Sequence, residues 1–138
     1  MRRMIRGILS LLLAFLGAGI SFAENPIQLE PTTEEKCLDI LRTALDSEEF
    51  WPSMHAAEAM TLAGHGEEIR EDLESRLESE KDDQHRCGLA RELVRSGDRS
   101  MVAVLIDVLN SEDPYGHVHA CESLYKVNEI GDGEAIRR

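Results

Sequence analysis

The chain has 138 residues, and its 15 basic and 27 acidic side chains give a formal net charge of −12 at pH 7. A chain this acidic repels a phosphate backbone, so we expect no nucleic acid and no anionic membrane among its partners. The length leaves room for at most one domain.

Residues 1–23 have the features of a signal peptide. Arginines at positions 2, 3 and 6 form a basic start, residues 8–20 form an apolar run, and Ser21-Phe22-Ala23 offers small side chains at a cleavage site. The apolar run is shorter than the about 20 residues that span a membrane. We therefore expect export to the periplasm or the extracellular space, cleavage after Ala23 and no stable membrane span afterwards. An uncleaved anchor is the alternative.

A linker is predicted over residues 24–33, followed by one repeat domain over residues 34–138. Thr32 and Glu35 have the spacing of a capping box, which predicts a helix that continues to Asp46. The apolar face of that helix consists of Cys37, Leu41 and Leu45. Trp51 lies in the turn that follows. We expect it to pack over the open end of the first helix pair, with ligand stacking as the alternative.

Apolar residues at helical spacing predict further helices in pairs, over residues 53–63 and 67–80 and over residues 84–95 and 99–110. Asp98 is the expected N-cap of the second helix of the second pair, and Asp113, followed by Pro114, is the expected N-cap of a fifth segment. Another helix is expected near Ala135-Ile136. A shift of 31 residues aligns the first helices of the pairs, as in Ala56/Cys87/Val118, and a shift of 32 aligns the second helices, as in Leu41/Leu73/Leu105. A period near 31 with two helices per unit is typical of an α-solenoid.

The segments HAAEAMTLAGHG, CGLARELVRSGD and VHACESLYKV resemble the first helices of HEAT-like repeats of the short, bilin-lyase type. EDLESRLESEKD and AVLIDVLNSEDP resemble the second helices, and the resemblance covers about Glu34 to Asn128. It implies an all-α fold, a HEAT-like α-solenoid of about three helix-turn-helix repeats whose first and last repeats are incomplete. It also implies that the second helices line a concave surface. It does not imply an activity, because HEAT arrays serve many unrelated roles.

The two predicted second helices differ in character. Residues 67–80 are charged, whereas residues 99–110 are apolar nearly all round and rich in β-branched side chains. A strand over residues 101–108 is therefore a local alternative. The repeat favours a helix.

Cysteines in an exported chain raise the question of a disulfide. Cys37, Cys87 and Cys121 all align with apolar residues of other repeats. We expect all three to be buried as free thiols, with no intrachain disulfide.

Side chains that could support catalysis or metal binding do not form a convincing set. His117 and Cys121 share a helix face, but His119 points away, so three ligands do not converge. HEAT-type dimetal hydroxylases carry His-Glu pairs at helix starts, whereas this chain has His55-Ala56 and His117-Val118. We therefore predict no catalytic, cofactor or metal residues and no enzyme. A HEAT-type enzyme, bilin-lyase-like or metal-dependent, is the alternative.

The expected function is that of an exported protein-protein interaction scaffold. Its concave surface would combine acidic with apolar side chains and suit an amphipathic basic peptide or a partner domain. The predicted partner-binding residues are Glu71, Glu74, Glu78, Val102, Val104 and Ile106. The apolar segment 99–110 lacks a following second helix, so self-association through the C-terminal end is also expected. The chain could alternatively be the end-piece of a longer HEAT protein.

Overall fold

A computed structural model describes residues 29–129. Within this range the chain is all-helical and has no strand, so the predicted fold class is confirmed at this level and the strand alternative for residues 101–108 is wrong. The predicted signal peptide, residues 24–28 of the predicted linker and the helix expected near residue 135 lie outside the described range. The helices are α1 Pro31–Leu45, α2 Phe50–Leu62, α3 Gly66–Ser79, α4 Asp83–Arg95, α5 Val102–Asn110 and α6 His117–Lys126.

Helix α1 begins earlier than the sequence pattern predicts. Pro31 is its first residue, and Glu30 before it makes no capping hydrogen bond through its side chain. The predicted capping box at Thr32 is therefore wrong, because Thr32 already lies inside the first turn. Proline suits this first position, since its fixed φ is helical and the missing N–H would have no intrahelical partner. The linker ends accordingly at Glu30.

Aspartates start the later helices. Short 3-10 turns, Arg99–Met101 and Pro114–Gly116, lead into α5 and α6. Asp98 accepts a hydrogen bond from the backbone N–H of Ser100 at 3.0 Å, and Asp113 accepts one from that of Tyr115 at 3.0 Å. Both caps match the sequence prediction.

Each helix packs on the next one along the chain, and α2, α4 and α6 also contact one another in a row. One apolar cluster joins α2, α3 and α4, and a second joins α4, α5 and α6. Helix α4 belongs to both clusters and is the most buried element, with Cys87 and Leu93 fully inaccessible to solvent.

The helices of the α2, α4 and α6 row end in the same way. Gly64, Gly97 and Asn128 all have positive φ, at 90°, 109° and 56°. The residue after each one donates a backbone hydrogen bond to a carbonyl five residues earlier, in the pairs His65–Met60, Asp98–Leu93 and Glu129–Leu124. This is the Schellman pattern of helix termination. It makes Met60, Leu93 and Leu124 structurally equivalent.

These equivalences correct the predicted spacing of the first two units. Met60 and Leu93 are 33 residues apart, whereas Leu93 and Leu124 are 31 apart. The difference arises because α3 has 14 residues, whereas the 3-10 turn and α5 that correspond to it have 3 and 9. Cys87 therefore corresponds to Met54 and not to Ala56.

A buried network of charged side chains connects α2 with α4. Glu92 is fully buried and accepts hydrogen bonds from Thr61 Oγ1 at 2.8 Å, Arg91 Nε at 2.6 Å and Arg95 Nη1 at 3.0 Å. Arg95 also donates to Glu58 at 2.8 Å. Burial alone would raise the pKa of Glu58, but the hydrogen bond from Arg95 and the charges of Arg91 and Arg95 outweigh it and hold the pKa below its usual value.

The three cysteines occupy different environments, and all are free thiols. Cys87 is buried and Cys121 is half-buried against the second apolar cluster. Cys37 is exposed, which contradicts the prediction that it is a core residue. The repeat places Cys37 at the position of the buried Ile69, but among the described residues no helix covers that side of α1 as α2 covers α3.

Candidate binding groove

A groove of about 420 Å³ lies between the charged helix α3 and the apolar helix α5. Helix α3 contributes both charged and apolar side chains, whereas α5 and the 3-10 turn before it contribute apolar side chains only. The residues that line the groove are Glu74, Leu77, Glu78, Leu93, Met101 and Val104. Carboxylates therefore border a surface formed by thioether and aliphatic side chains.

Three of the six predicted partner-binding residues meet in this groove, namely Glu74, Glu78 and Val104. Glu71 is exposed on α3 but is not part of the lining. Val102 and Ile106 are half-buried and pack against the second apolar cluster. Helix α6 packs on α5 and covers part of this apolar surface, and the expected self-association through the C-terminal end stays a prediction.

The sequence pattern does not predict the groove residues Leu77, Leu93 and Met101. Leu77 and Met101 occupy the apolar positions that repeat along the second helices, so the pattern favoured a purely structural role. Both are in fact half-buried and accessible from the groove. The sequence signal that could have identified them is an apolar core position that lies next to a charged helix face.

The acidic residues of the groove lack basic partners among residues 29–129. Arg70 pairs with Glu67 at 2.9 Å and donates to the carbonyl of Ser96, and Arg76 pairs with Asp72 at 3.5 Å. Both arginines of α3 are thus directed away from Glu71, Glu74 and Glu78. The ion pairs and hydrogen bonds of residues 29–129 include none of these three exposed glutamates.

A second, more polar cavity of about 300 Å³ adjoins the groove and shares Leu77 and Glu78 with it. Two basic side chains, Lys81 and Arg86, line it beside Glu78 and Glu80. Arg86 donates to Asp83 at 2.7 Å and to Asp107 at 3.2 Å. The groove between α3 and α5, by contrast, is lined by carboxylates and apolar side chains alone.

Aromatic and imidazole rings form a separate cluster over the starts of α2, α4 and α6. The rings of Phe50 and His85 stack with centroids 3.6 Å apart, and Trp51 stacks on His119 at 5.6 Å. Trp51 was expected over the open end of the first helix pair, but it packs against imidazoles of the two following units. His85 also contacts a carboxylate oxygen of Glu80 at 3.1 Å.

The candidate metal ligands of α6 have separate partners. His117 Nε2 lies 3.0 Å from the carbonyl oxygen of Ser111, His119 stacks on Trp51, and Cys121 packs against the core. In the described part of the chain, no three His, Cys, Asp or Glu side chains are close enough to hold a metal ion.

Cys87 is the most buried thiol. Burial, together with the charge of Asp83, raises its pKa to about 12. A thiol with this pKa is almost entirely protonated at neutral pH and is a poor nucleophile.

Comparisons of the chain with protein-family models, curated proteins and solved structures find no match. Over residues 29–129, none of the helices has the length and apolar character needed to cross a bilayer.

Proposed function

We propose that this chain is an exported protein-protein interaction scaffold, built as a HEAT-like α-solenoid of about three repeats with incomplete first and last repeats. Two observations support this architecture. The helices α2, α4 and α6 contact one another in a row, and each ends with the same hydrogen-bond pattern. Units that repeat both a contact and a helix ending are the elements from which solenoids are built.

The proposed binding surface is the groove between α3 and α5. The observation that carries this proposal is an acidic edge without described ion-pair partners, Glu71, Glu74 and Glu78, beside the apolar lining. A partner that suits both features is an amphipathic basic segment, whose apolar side chains would cover Leu77 and Val104 while its lysines or arginines approach the glutamates. Met101 would help to adapt the lining to different apolar side chains, because its side chain is flexible and polarisable.

The two halves of the groove would make different contributions. Exposed charge pairs are typically worth only about 0.2–1 kcal/mol each, so the glutamates would mainly accelerate association and select basic partners. Burial of apolar surface, at about 25 cal/mol per Å², would supply most of the affinity. The acidic edge predicts that binding weakens with salt, and the apolar lining predicts that it is not abolished.

The experiment measures fluorescence anisotropy of a labelled synthetic peptide of about 16 residues, with leucines on one helix face and lysines on the other. We expect saturable binding, weakened severalfold when NaCl rises from about 50 to about 300 mM. The double variant Glu74→Gln/Glu78→Gln should weaken binding about tenfold, and Val104→Asp should weaken it at least as much, because it places a charge in the apolar lining.

The control is Glu34→Gln/Glu35→Gln, which removes the same charge from the exposed first turn of α1. It should change the affinity by less than about twofold if the groove binds the peptide. Equal weakening by the two double variants would show general attraction to an acidic chain. That result, or the absence of any binding at low salt, would overturn the proposal.

A further inference from the structure

Large apolar side chains are exposed at both ends of the row of helices. Of the seven such residues among those described, Ile40 and Leu62 lie at the N-terminal end, and Val118 and Tyr125 lie on α6 at the other end. We call the first pair, with Ala59, the head surface. The second pair, with Glu122, is the tail surface. Together they account for four of these seven side chains.

The tail surface corresponds to a surface that is covered one unit earlier. Because Leu93 corresponds to Leu124, Cys87 corresponds to Val118 and Val94 corresponds to Tyr125. Cys87 and Val94 on α4 are 0% and 5% exposed, and α4 contacts α6. Val118 and Tyr125 on α6 are 75% and 79% exposed. The same positions are therefore buried wherever a further helix of the row is present.

The head surface shows the complementary situation. Leu62 on α2 corresponds to Arg95 on α4, which reaches back to Glu58 on the preceding helix of the row. Leu62 has no preceding helix of the row among the described residues and is 69% exposed. Helix α1 lies beside α2 as α3 lies beside α4, and its Ile40 borders a groove of about 440 Å³.

We propose that the tail surface of one copy docks on the head surface of a second copy, so that α2 of the second copy packs on α6 as α4 packs on α2. The contact within one chain supplies the template. Within one chain, Thr61 of α2 donates a hydrogen bond to Glu92 of α4. At the proposed interface, Tyr125 of one copy takes the position of Thr61, and Ala59 of the second copy takes the position of Glu92. The large aromatic side chain thus faces a small residue. The Glu58–Arg95 contact maps onto Glu122 and Leu62, and Lys126 of the same helix, instead of the second copy, supplies the cation for Glu122.

A second copy is the occupant because both of its surfaces continue a contact that the chain already makes twice, between α2 and α4 and between α4 and α6. The local charge also permits self-association. Glu122 on the tail surface is paired with Lys126 at 3.0 Å, so this surface is close to neutral although the chain carries a net charge of −12. The unpaired acids of α3 would oppose self-association through the groove.

Such an interface joins two different surfaces, so each copy that docks presents a new tail surface. Association of this kind continues into longer species unless rotation closes a ring. Sedimentation velocity of the purified chain, from about 1 to about 100 μM, should therefore show species larger than a dimer at high concentration. A chain that stays monomeric throughout this range would overturn the proposal, and would mean that residues outside 29–129 or a different protein cover these surfaces.

Two single variants make the test specific. Tyr125→Glu damages only the tail surface and Leu62→Glu damages only the head surface. Each variant alone should be monomeric, with its dissociation constant raised by more than about tenfold. Mixed together they should form one dimer and nothing larger, since each supplies the intact surface that the other lacks. The matched control is Ala103→Glu, which adds the same charge at an exposed position of α5 and should associate like the original chain.

Two results would contradict the head-to-tail arrangement. If Leu62→Glu still dimerises alone while Tyr125→Glu does not, the tail surfaces pair with each other. If the mixed variants remain monomeric although both keep native helix content by circular dichroism, the two surfaces do not meet. Should either glutamate variant unfold, Tyr125→Ala and Leu62→Ala provide the same mixing test with a smaller perturbation.

Discussion

Helices α4 and α6 occupy equivalent positions in successive units, yet their burial is opposite to what side-chain polarity alone would suggest. On α4 the charged Arg91 and Glu92 are buried at 7% and 0% exposure, whereas on α6 Val118 and Tyr125 are largely exposed. The difference follows from neighbours. α4 contacts α2, α3, α5 and α6, while α6 contacts α4 and α5. Position in the row therefore determines burial more strongly than residue type does.

The buried charges of α4 are tolerated because they satisfy one another. Two guanidinium groups and two carboxylates form one network, with Glu92 at its centre. Such a network is sensitive to the loss of one member, because the remaining charges would stay buried without a partner. The exposed ion pair of α6, Glu122 with Lys126, has no such sensitivity, since water can solvate either partner.

The largest expected effect is that of Glu92→Ala. It leaves Arg91 and Arg95 with Glu58 as their only described acidic partner on α2, so the free energy of unfolding should fall by about 3–5 kcal/mol. Glu122→Ala on α6 is the comparison and should cost less than about 1 kcal/mol. Urea denaturation of dilute samples measures both. A similar small loss for the two variants would show that the network on α4 is not energetically coupled.

A second comparison uses the same substitution at a covered and at an uncovered position. Leu93→Ala on α4 removes a side chain with no exposed surface and should lower the free energy of unfolding by about 2–5 kcal/mol. Leu62→Ala on α2 should change it by less than about 0.5 kcal/mol at low concentration, because Leu62 is mostly exposed. Urea midpoints of the two variants measure the difference. A large loss at Leu62 in a monomeric sample would show that this position is covered after all.

The sequence predicts which segments are helical better than it predicts what covers them. The caps at Asp98 and Asp113 and the apolar faces of α3 and α5 depend on residues close together in the chain, and these predictions agree with the structure. The exposure of Cys37 and the coverage of Val102 depend on which helices are neighbours. Periodicity cannot supply that information, because it treats every unit as if both neighbours were present.

In the candidate site, too, local features could be predicted from the sequence and contacts between distant residues could not. The acidic edge could be predicted because Glu74 and Glu78 are local features of an amphipathic helix. Their lack of basic partners could not, since it depends on Arg70 turning toward Ser96 and Glu67. Helical spacing alone would favour a pair of Arg70 with Glu74, because the two are one helical turn apart.

The acid sensitivity of stability offers a third comparison, between the Glu58–Arg95 pair that joins α2 to α4 and the exposed Glu122–Lys126 pair of α6. The pKa of Glu58 is lowered in the folded chain, so its contribution is complete above its usual value of 4.5 and is lost as the pH falls through the lower folded-state value. Denaturant midpoints between pH 7 and pH 3 should therefore fall more steeply for the original chain than for Glu58→Gln. At pH 7 that variant should lose about 1–2 kcal/mol with its charge-assisted hydrogen bond.

Glu122 provides the control on α6. Its hydrogen bond with Lys126 also lowers its pKa, but this pair is more exposed than the pair of Glu58 with Arg95. Glu122→Gln should therefore flatten the acid side of the profile less than Glu58→Gln does. Equal flattening would indicate that coupling between α2 and α4 contributes no more to acid stability than an exposed pair.

The smallest expected effect concerns the ends of the three equivalent helices. α2 and α4 end at glycines with positive φ, whereas α6 ends at Asn128 with φ of 56°. Asparagine tolerates this left-handed conformation better than most residues, but glycine adopts it without a steric cost. Asn128→Gly should therefore raise the free energy of unfolding by about 0.5 kcal/mol, while Gly97→Ala should lower it by about 1–2 kcal/mol. Denaturation of each variant and of the original chain measures whether the free energy of unfolding rises or falls. The φ angle at position 128 lies in the same left-handed region as the φ angles at Gly64 and Gly97. Destabilisation by Asn128→Gly would therefore show that the asparagine side chain makes a stabilising contact that the glycines lack.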